Sequence, residues 1–245
     1  PKNDKMNLKK YPLLNQSFIG WTIETKDDVF DEKTMTLMDF NRNQKDETRF
    51  IYVLPFSSRK ALVEYTLFSE KIISDQDYEN GIKEYLNEKE IDNFKIIEKE
   101  KGNIPMTCFP FEKSNTNKLI YIGTAGGWTK PSTGYTIKNA IDKSKEITSY
   151  IKSNKALEHF NKRNRFWYYD LILLDVLKST KGHGYKAFSY MFKRNNPIKI
   201  LTFLDEKTTL FEEIPILLSV NKIPFIRALI NRLAEIIDRI IRRPD

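Results

Sequence analysis

The sequence has one cysteine, two histidines and no long apolar run, and each shortage closes off a class of function. Cys108 alone cannot form an intramolecular disulfide, so a stapled secreted scaffold is excluded. One cysteine with two well-separated histidines, His159 and His183, does not make a zinc cage of the usual kind, and no metal site is expected. No stretch reaches the ~18 to 20 apolar residues that a bilayer crossing requires. The longest candidates, residues 171–174 and 214–220, are short and interrupted or bounded by Asp, Glu or Pro. Residues 1–10 contain no apolar core, so no signal peptide is expected, and a start at Pro rather than Met suggests a fragment or a processed product. Internal repeats and low-complexity tracts are also missing.

What is present fits a globular chain with a real core. Of 245 residues, 40% are hydrophobic and 30% charged, which argues against wholesale disorder. The balance of 41 basic against 33 acidic residues gives +8, compatible with an anionic partner such as a phosphate-bearing cofactor, a membrane surface or nucleic acid. The basic residues are interspersed with acids and no RNA- or DNA-binding motif accompanies them, so nucleic acid is set aside.

The first half reads as short strands at 18–25, 34–40, 49–54 and 61–68, rich in Phe, Ile, Val, Tyr and Thr. Ser74 or Asp75 is placed to cap a helix with Tyr78, Ile82, Tyr85 and Leu86 at helical spacing. Strand-like runs follow at 94–98 and 118–122, then a helix over 135–153 with Ile137, Ile141, Ser144, Ile147 and Ile151 on one stripe. From residue 157 the pattern is helical. Its last segment, 225–243, sets an apolar side from Phe225 to Ile241 against Arg227, Arg232, Arg239, Arg242 and Arg243. Such a basic amphipathic helix suits a membrane interface, and equally suits packing on the protein's own core.

The sequence divides into a sheet-rich region over 1–115, a strand, glycine loop and helix over 116–153, and a helical region over 154–245. The middle segment carries an apolar run, then Gly123, Gly126, Gly127, Pro131 and Gly134, then a helix. That order makes a common phosphate cradle, because glycines admit backbone N–H groups to an anion at the positive end of a helix. It is neither a Walker A loop nor GxGxxG, and on composition alone an ordinary tight turn serves as well.

The run GTAGGWTKPSTGY (123–135) closely resembles the second flavin-contacting motif of the lycopene cyclase family. Further blocks match in order: FIGW (18–21), MDF (38–40), YVLPFS (52–57), LVEYT (62–66), IPMT (104–107), RFxxYD (165–170) and FLDE (203–206). The resemblance runs from about Gln16 to about Phe211. It implies an α+β chain, part of an FAD/NAD(P)-binding fold like that of the aromatic hydroxylases. In this arrangement a mixed β-sheet forms the substrate region, followed by the glycine loop with its helix and a helical C-terminal tail. The family's opening Rossmann unit with its GxGxxG has no counterpart here, so the chain resembles the C-terminal portion of a cyclase.

The resemblance implies closure of the ends of linear lycopene into β-ionone rings by protonation and carbocation cyclisation, with reduced FAD as cofactor and NAD(P)H as reductant. Cofactor contacts would come from Gly123, Thr124, Ala125, Gly126, Gly127, Lys130, Pro131, Ser132, Thr133 and Gly134. The chain by itself is expected to hold FAD poorly and to be inactive. A cytoplasmic, peripherally membrane-associated protein is expected, since the substrate is wholly apolar. The alternatives are a non-catalytic membrane-associated remnant and a flavin-dependent monooxygenase.

The acid the reaction needs is expected at Glu64. Alternation over 61–68 sets Leu62, Glu64 and Thr66 on one face, and apolar neighbours should raise that carboxyl's pKa; an edge-strand Glu in water is the competing reading. Asp39 is the second candidate, with a backbone-bracing role equally open. Glu24 is weaker. His159 and His183 read as surface and loop residues, and Trp21 and Trp128 as packing.

Overall fold

The computed structural model describes residues 10–160 and 163–241, with side chains up to residue 237. Arg239, Arg242, Arg243 and the other side chains of the tail beyond that point lie outside the described residues. The chain divides into two compact units. The sheet unit is Leu14–Pro105 together with the short segment Lys181–Tyr185, and the helical unit holds Met106–Thr180 and the chain from Lys186.

The sheet unit is a five-stranded sheet of β1 (Leu13–Thr25), β2 (Thr36–Asp39), β3 (Thr48–Ser57), β4 (Lys60–Ser69) and β5 (Phe94–Thr107). Their spatial order is β2-β3-β4-β1-β5, which makes β4 the central strand. The pairs β1–β4, β2–β3 and β3–β4 are antiparallel. Odd-numbered residues of β4 form the inner face: Ala61, Val63, Tyr65 and Leu67 join Ile19, Trp21, Ile23, Ile51 and Val53 in one buried cluster. Helix α1 (Asp75–Glu88) covers this face with Tyr78, Ile82, Tyr85 and Leu86, all buried. Ser74 is its N-cap and accepts from the Asp77 amide, as the sequence predicts. The helix approaches closely because residue 81 is Gly; a Cβ there would stand 2.7 Å from the Tyr65 ring.

Two expectations change. Strand β5 runs on to Thr107, well past residue 98, because pairing with β1 carries the charged run Glu98–Lys101 along the sheet edge. Residues 118–122 do not form a strand: Thr116 and Leu119 bond each other's backbone in a tight turn, and Leu119 and Ile122 stay exposed. A strand needs a neighbour for its ladder, and among the described residues none lies beside this run.

In the helical unit the glycine loop leads into α2 (Ile137–Lys152), followed by α3 (Arg165–Ser179), α4 (Tyr185–Arg194), α5 (Pro197–Leu204), α6 (Leu210–Ser219) and α7 (Lys222–Ile241). Helices α3 and α7 pack together. The contact is polar as well as apolar: Arg232 of α7 holds Asp175 of α3 through two hydrogen bonds of 2.6 Å. With Ala228 and Arg232 turned inward, α7 presents Ile223, Ile226, Leu229, Ile230, Leu233 and Ile237 outward. No helix among the described residues is long and apolar enough to cross a membrane.

Candidate functional site

Glu64 lies in the middle of the central strand, on the sheet face opposite α1. Its register partners are Gly20 on β1 and Tyr52 on β3. The same face carries Leu62 and Thr66 from β4, Phe18 and Thr22 from β1, and Phe50 and Leu54 from β3. Phe50 stacks edge-on against both Tyr52 (5.1 Å) and Phe68 (5.0 Å). The face is therefore largely apolar and aromatic, with the Glu64 carboxyl set into its middle. Thr66 donates its hydroxyl hydrogen to Glu64 Oε1 at 2.5 Å. Burial pushes the Glu64 carboxyl up to about 7, against the Thr66 bond, and the neighbouring Glu100 pushes the same way as burial. A carboxyl in this setting holds its proton near neutral pH and can give it up.

The structure does not bring Asp39 to this carboxyl. Asp39 pairs with Ile51, whose side chain belongs to the buried cluster under α1, so Asp39 faces α1 while Glu64 faces away. Its Oδ1 accepts the Asn41 amide at 2.9 Å, and it raises the pKa of Tyr85 after burial has done so. A bulge between Thr36 and Asp39 shifts the register and sets this orientation. Glu24 is an exposed residue paired with Lys60 at the strand end, and Trp21 is core.

In the helical unit the glycine loop is folded on its own hydrogen bonds. Residues Gly123–Gly126 form a single 3-10 turn, closed by Gly127 in the left-handed conformation at φ +70. The amides of Gly126, Gly127, Trp128, Lys130, Thr133 and Gly134 all donate to carbonyls within or beside the loop. Gly126 has no alternative, because a Cβ would meet the Tyr121 carbonyl oxygen at 2.1 Å. Two features remain open to an outside group. Over Gly123, at φ +59, a Cβ would meet nothing within 4 Å. The N-terminus of α2 has no side-chain cap and no acidic residue in its first turn. An anionic or acceptor-rich ring system fits there, so the loop is compatible with a flavin.

Lys130 faces inward. Its ammonium, 3% exposed, lies 3.0 Å from Asp170 Oδ2 and 3.0 Å from Glu206 Oε1. Burial opposes its charge, yet the two carboxylates hold it above the ordinary lysine range; burial pushes the Asp170 carboxyl up. The three sequence blocks around residues 123–135, 165–170 and 203–206 thus meet at one buried ion cluster. Arg165 adds a second tie, to Glu213 and to the Thr208 carbonyl. Thr124, Ala125 and Gly127 are exposed, whereas Ser132, Thr133 and Gly134 are buried and Pro131 half-buried. A cavity of about 140 Å³ beside the loop is lined by Cys108, Trp128, Lys130, Lys143, Trp167 and Asp170. His159 is exposed beside Glu158, and His183 sits in the turn before α4.

Sequence reasoning overlooked Glu100 and the partners of Lys130. Asp170 and Glu206 stand inside blocks quoted for their resemblance, which was the available clue. Glu100 had none, lying in an alternating charge run that reads as solvated surface.

Among known proteins, no curated protein matches the chain. A solved structure of a geranylgeranyl bacteriochlorophyll reductase-like protein from Thermoplasma acidophilum aligns at 15% identity with a TM-score of 0.43, covering 92% of this chain and 54% of that one. The family model described as lycopene cyclase protein matches residues 2–230, from before the first strand into α7. On that match, together with the motif blocks gathered around Glu64 and Lys130, the chain belongs to the lycopene cyclase family.

Proposed function

We propose that the chain is the substrate-binding and acid-bearing portion of a lycopene β-cyclase, which closes the ends of linear lycopene into β-ionone rings in carotenoid biosynthesis. The observation that carries this reading is Glu64: a carboxyl protonated near neutral pH, centred on an apolar and aromatic sheet face. The residues up to about 115 serve as the catalytic region, the segment to 153 as the flavin-contacting unit, and the remainder as a helical tail.

Glu64 gives its proton to the terminal double bond of the substrate, forming a C–H bond and leaving a carboxylate. A neighbouring alkene attacks the resulting cation, and a proton leaves the new ring, so the reaction is an isomerisation. Phe18, Phe50, Tyr52 and Leu62 line the polyene and keep water from the cation. Thr66 orients the Glu64 carboxyl. Asp39, on the other side of the sheet, braces the β2 end and is assigned only a secondary role. When bound, reduced FAD would supply negative charge that favours the cation without net redox turnover, with NAD(P)H as its reductant. Gly123, Thr124, Ala125, Ser132, Thr133 and Gly134 with the α2 N-terminus would hold it, while Lys130 fixes the loop from behind. Because most loop amides are already committed, this chain alone should purify without stoichiometric flavin absorbance and lack activity.

The outward apolar residues of α5, α6 and α7, with Phe211 85% exposed, are assigned to a lipid surface from which so apolar a substrate is drawn. Glu64→Gln in the complete enzyme tests the central claim. The change keeps the size and removes the proton, so cyclisation should fall by about 10² to 10⁴. Lycopene-making cells should stay red rather than turn orange, with expression and flavin content preserved. Normal cyclised product from this variant would overturn the assignment.

A further inference from the structure

We propose that Glu100 is the proton supplier of Glu64, the two forming a carboxyl pair that reaches across β1 through the gap left by Gly20. The proposal rests on the reading of Glu64 as the acid and adds the route by which that acid is recharged.

The geometry comes from three adjacent strands. Glu64 on β4 and Gly20 on β1 are direct register partners, and β5 lies on the far side of β1. The Glu100 side chain lies over Gly20: a Cβ at position 20 would stand 2.9 Å from Glu100 Oε1 and 3.0 Å from its Cγ. Leu62 closes the same spot from the other side, at 2.9 Å. With no Cβ at position 20, the Glu100 side chain lies over β1 on the face that carries Glu64, and its charge adds to the burial that favours the protonated Glu64 carboxyl. Two carboxylates this near repel when both are ionised, and a proton on Glu64 relieves that repulsion.

The groups that face Glu64 leave no competing partner for that proton. From its own strand come Leu62 and Thr66, from β3 Tyr52, from β1 Gly20 and from β5 Glu100. No cation acts on it among the described residues. Glu64 is half-buried, whereas Glu100 is exposed at the sheet edge. That difference gives the pair a direction: Glu100 takes a proton from water, passes it to the neighbouring Glu64 carboxylate, and is left ready for the next. One proton enters through Glu100 and one leaves at ring closure, so the balance over a turnover is zero.

The test is made in the complete enzyme with Glu100→Gln, a substitution at an exposed position. Two quantities are followed: the titration midpoint of the Glu64 carboxyl, read by carboxyl-region infrared difference spectra and assigned with Glu64→Gln, and the pH profile of cyclisation. The active form is protonated Glu64, so activity falls as pH rises through its pKa. Removing the neighbouring negative charge lowers that pKa. Both the infrared midpoint and the alkaline limb should therefore move to lower pH by about one unit, an ordinary environmental shift. Glu100→Asp, which keeps the charge, should restore part of the difference, and Gly20→Ala should reproduce the Glu100→Gln shift by pushing the side chain aside. An unmoved infrared midpoint in Glu100→Gln overturns the pair. A shifted midpoint together with full activity in Glu64→Gln upholds the pair and overturns the cyclase-acid reading on which its supply role depends.

Discussion

In the sheet unit the buried carboxyl of Glu64 faces a hydroxyl, a glycine and a second carboxylate, whereas in the helical unit the buried ammonium of Lys130 is gripped by Asp170 and Glu206 at 3.0 Å each. Both sites remove charge from water, and they resolve the cost differently. Lys130 stays charged because two carboxylates compensate it, which fixes the glycine loop to α3 and to the residues after α5. Glu64 lacks a cation and so retains a proton, which it can transfer. A buried ionisable group with opposite partners makes a brace; one with like partners makes an acid.

Lys130→Met should have the largest effect on stability. It leaves Asp170, 6% exposed, without its cation, and removal of one partner from a buried pair costs about 3 to 5 kcal/mol. Urea unfolding would measure this, and replacing Asp170 and Glu206 as well with apolar residues should recover much of the loss. A destabilisation below about 1 kcal/mol would remove the brace from the comparison.

The effect of Glu64 on stability is smaller and depends on pH. Its folded pKa, about 7, lies above the ordinary 4.5, so the native state binds the proton more tightly than the unfolded chain does. Stability linked to this group is present below pH 4.5 and is lost as pH rises through about 7, by roughly 3 kcal/mol in all. In Glu64→Gln this part of the slope should vanish. An identical stability–pH profile for the two proteins would mean that Glu64 is not held neutral by the fold.

The smallest expected change in stability comes from the outer face of α7. The sheet unit turns its apolar residues under α1, whereas α7 turns Ile226, Ile230 and Leu233 outward, at 53%, 58% and 50% exposure. Replacing all three with Ser should alter stability by no more than about 0.5 kcal/mol per site. It should nevertheless abolish co-sedimentation with anionic liposomes. A loss of stability typical of core positions would show that this face is packed in solution.

The same contrast explains what the sequence could reveal. Alternation at 61–67 separated Leu62, Glu64 and Thr66 from Ala61, Val63, Tyr65 and Leu67, as the structure has them, since a period of two is a local property, and Ser74 or Asp75 marked the start of α1 for the same reason. Pairings between distant residues were not legible. Glu100 reaches Glu64 across a third strand, and Lys130 meets partners 40 and 76 residues away, so a lysine in a glycine loop read as a cofactor ligand. The run 118–122 has strand composition without a neighbouring strand among the described residues. The amphipathic pattern of α7 was plain, but not that Arg232 ties it to Asp175 of α3 while Ile226, Ile230 and Leu233 stay exposed.

The segment Lys181–Tyr185 bears on how the protein can be cut and how it matures. It belongs to the sheet unit, where Tyr185 packs on Phe40 at 5.9 Å and Gly182 lies so close to the Lys45 carbonyl that a Cβ would fall 1.9 Å from it. Its chain neighbours on both sides belong to the helical unit. A fragment ending at Pro105 would therefore lack the piece that covers Phe40, and no single uninterrupted stretch short of Tyr185 reconstitutes the sheet unit. During synthesis the strands emerge first, but the unit is complete only once some 80 further residues have followed (from Pro105 to Tyr185). Until then its aromatic face stays open, a window in which a nascent chain would bind a chaperone or an apolar surface.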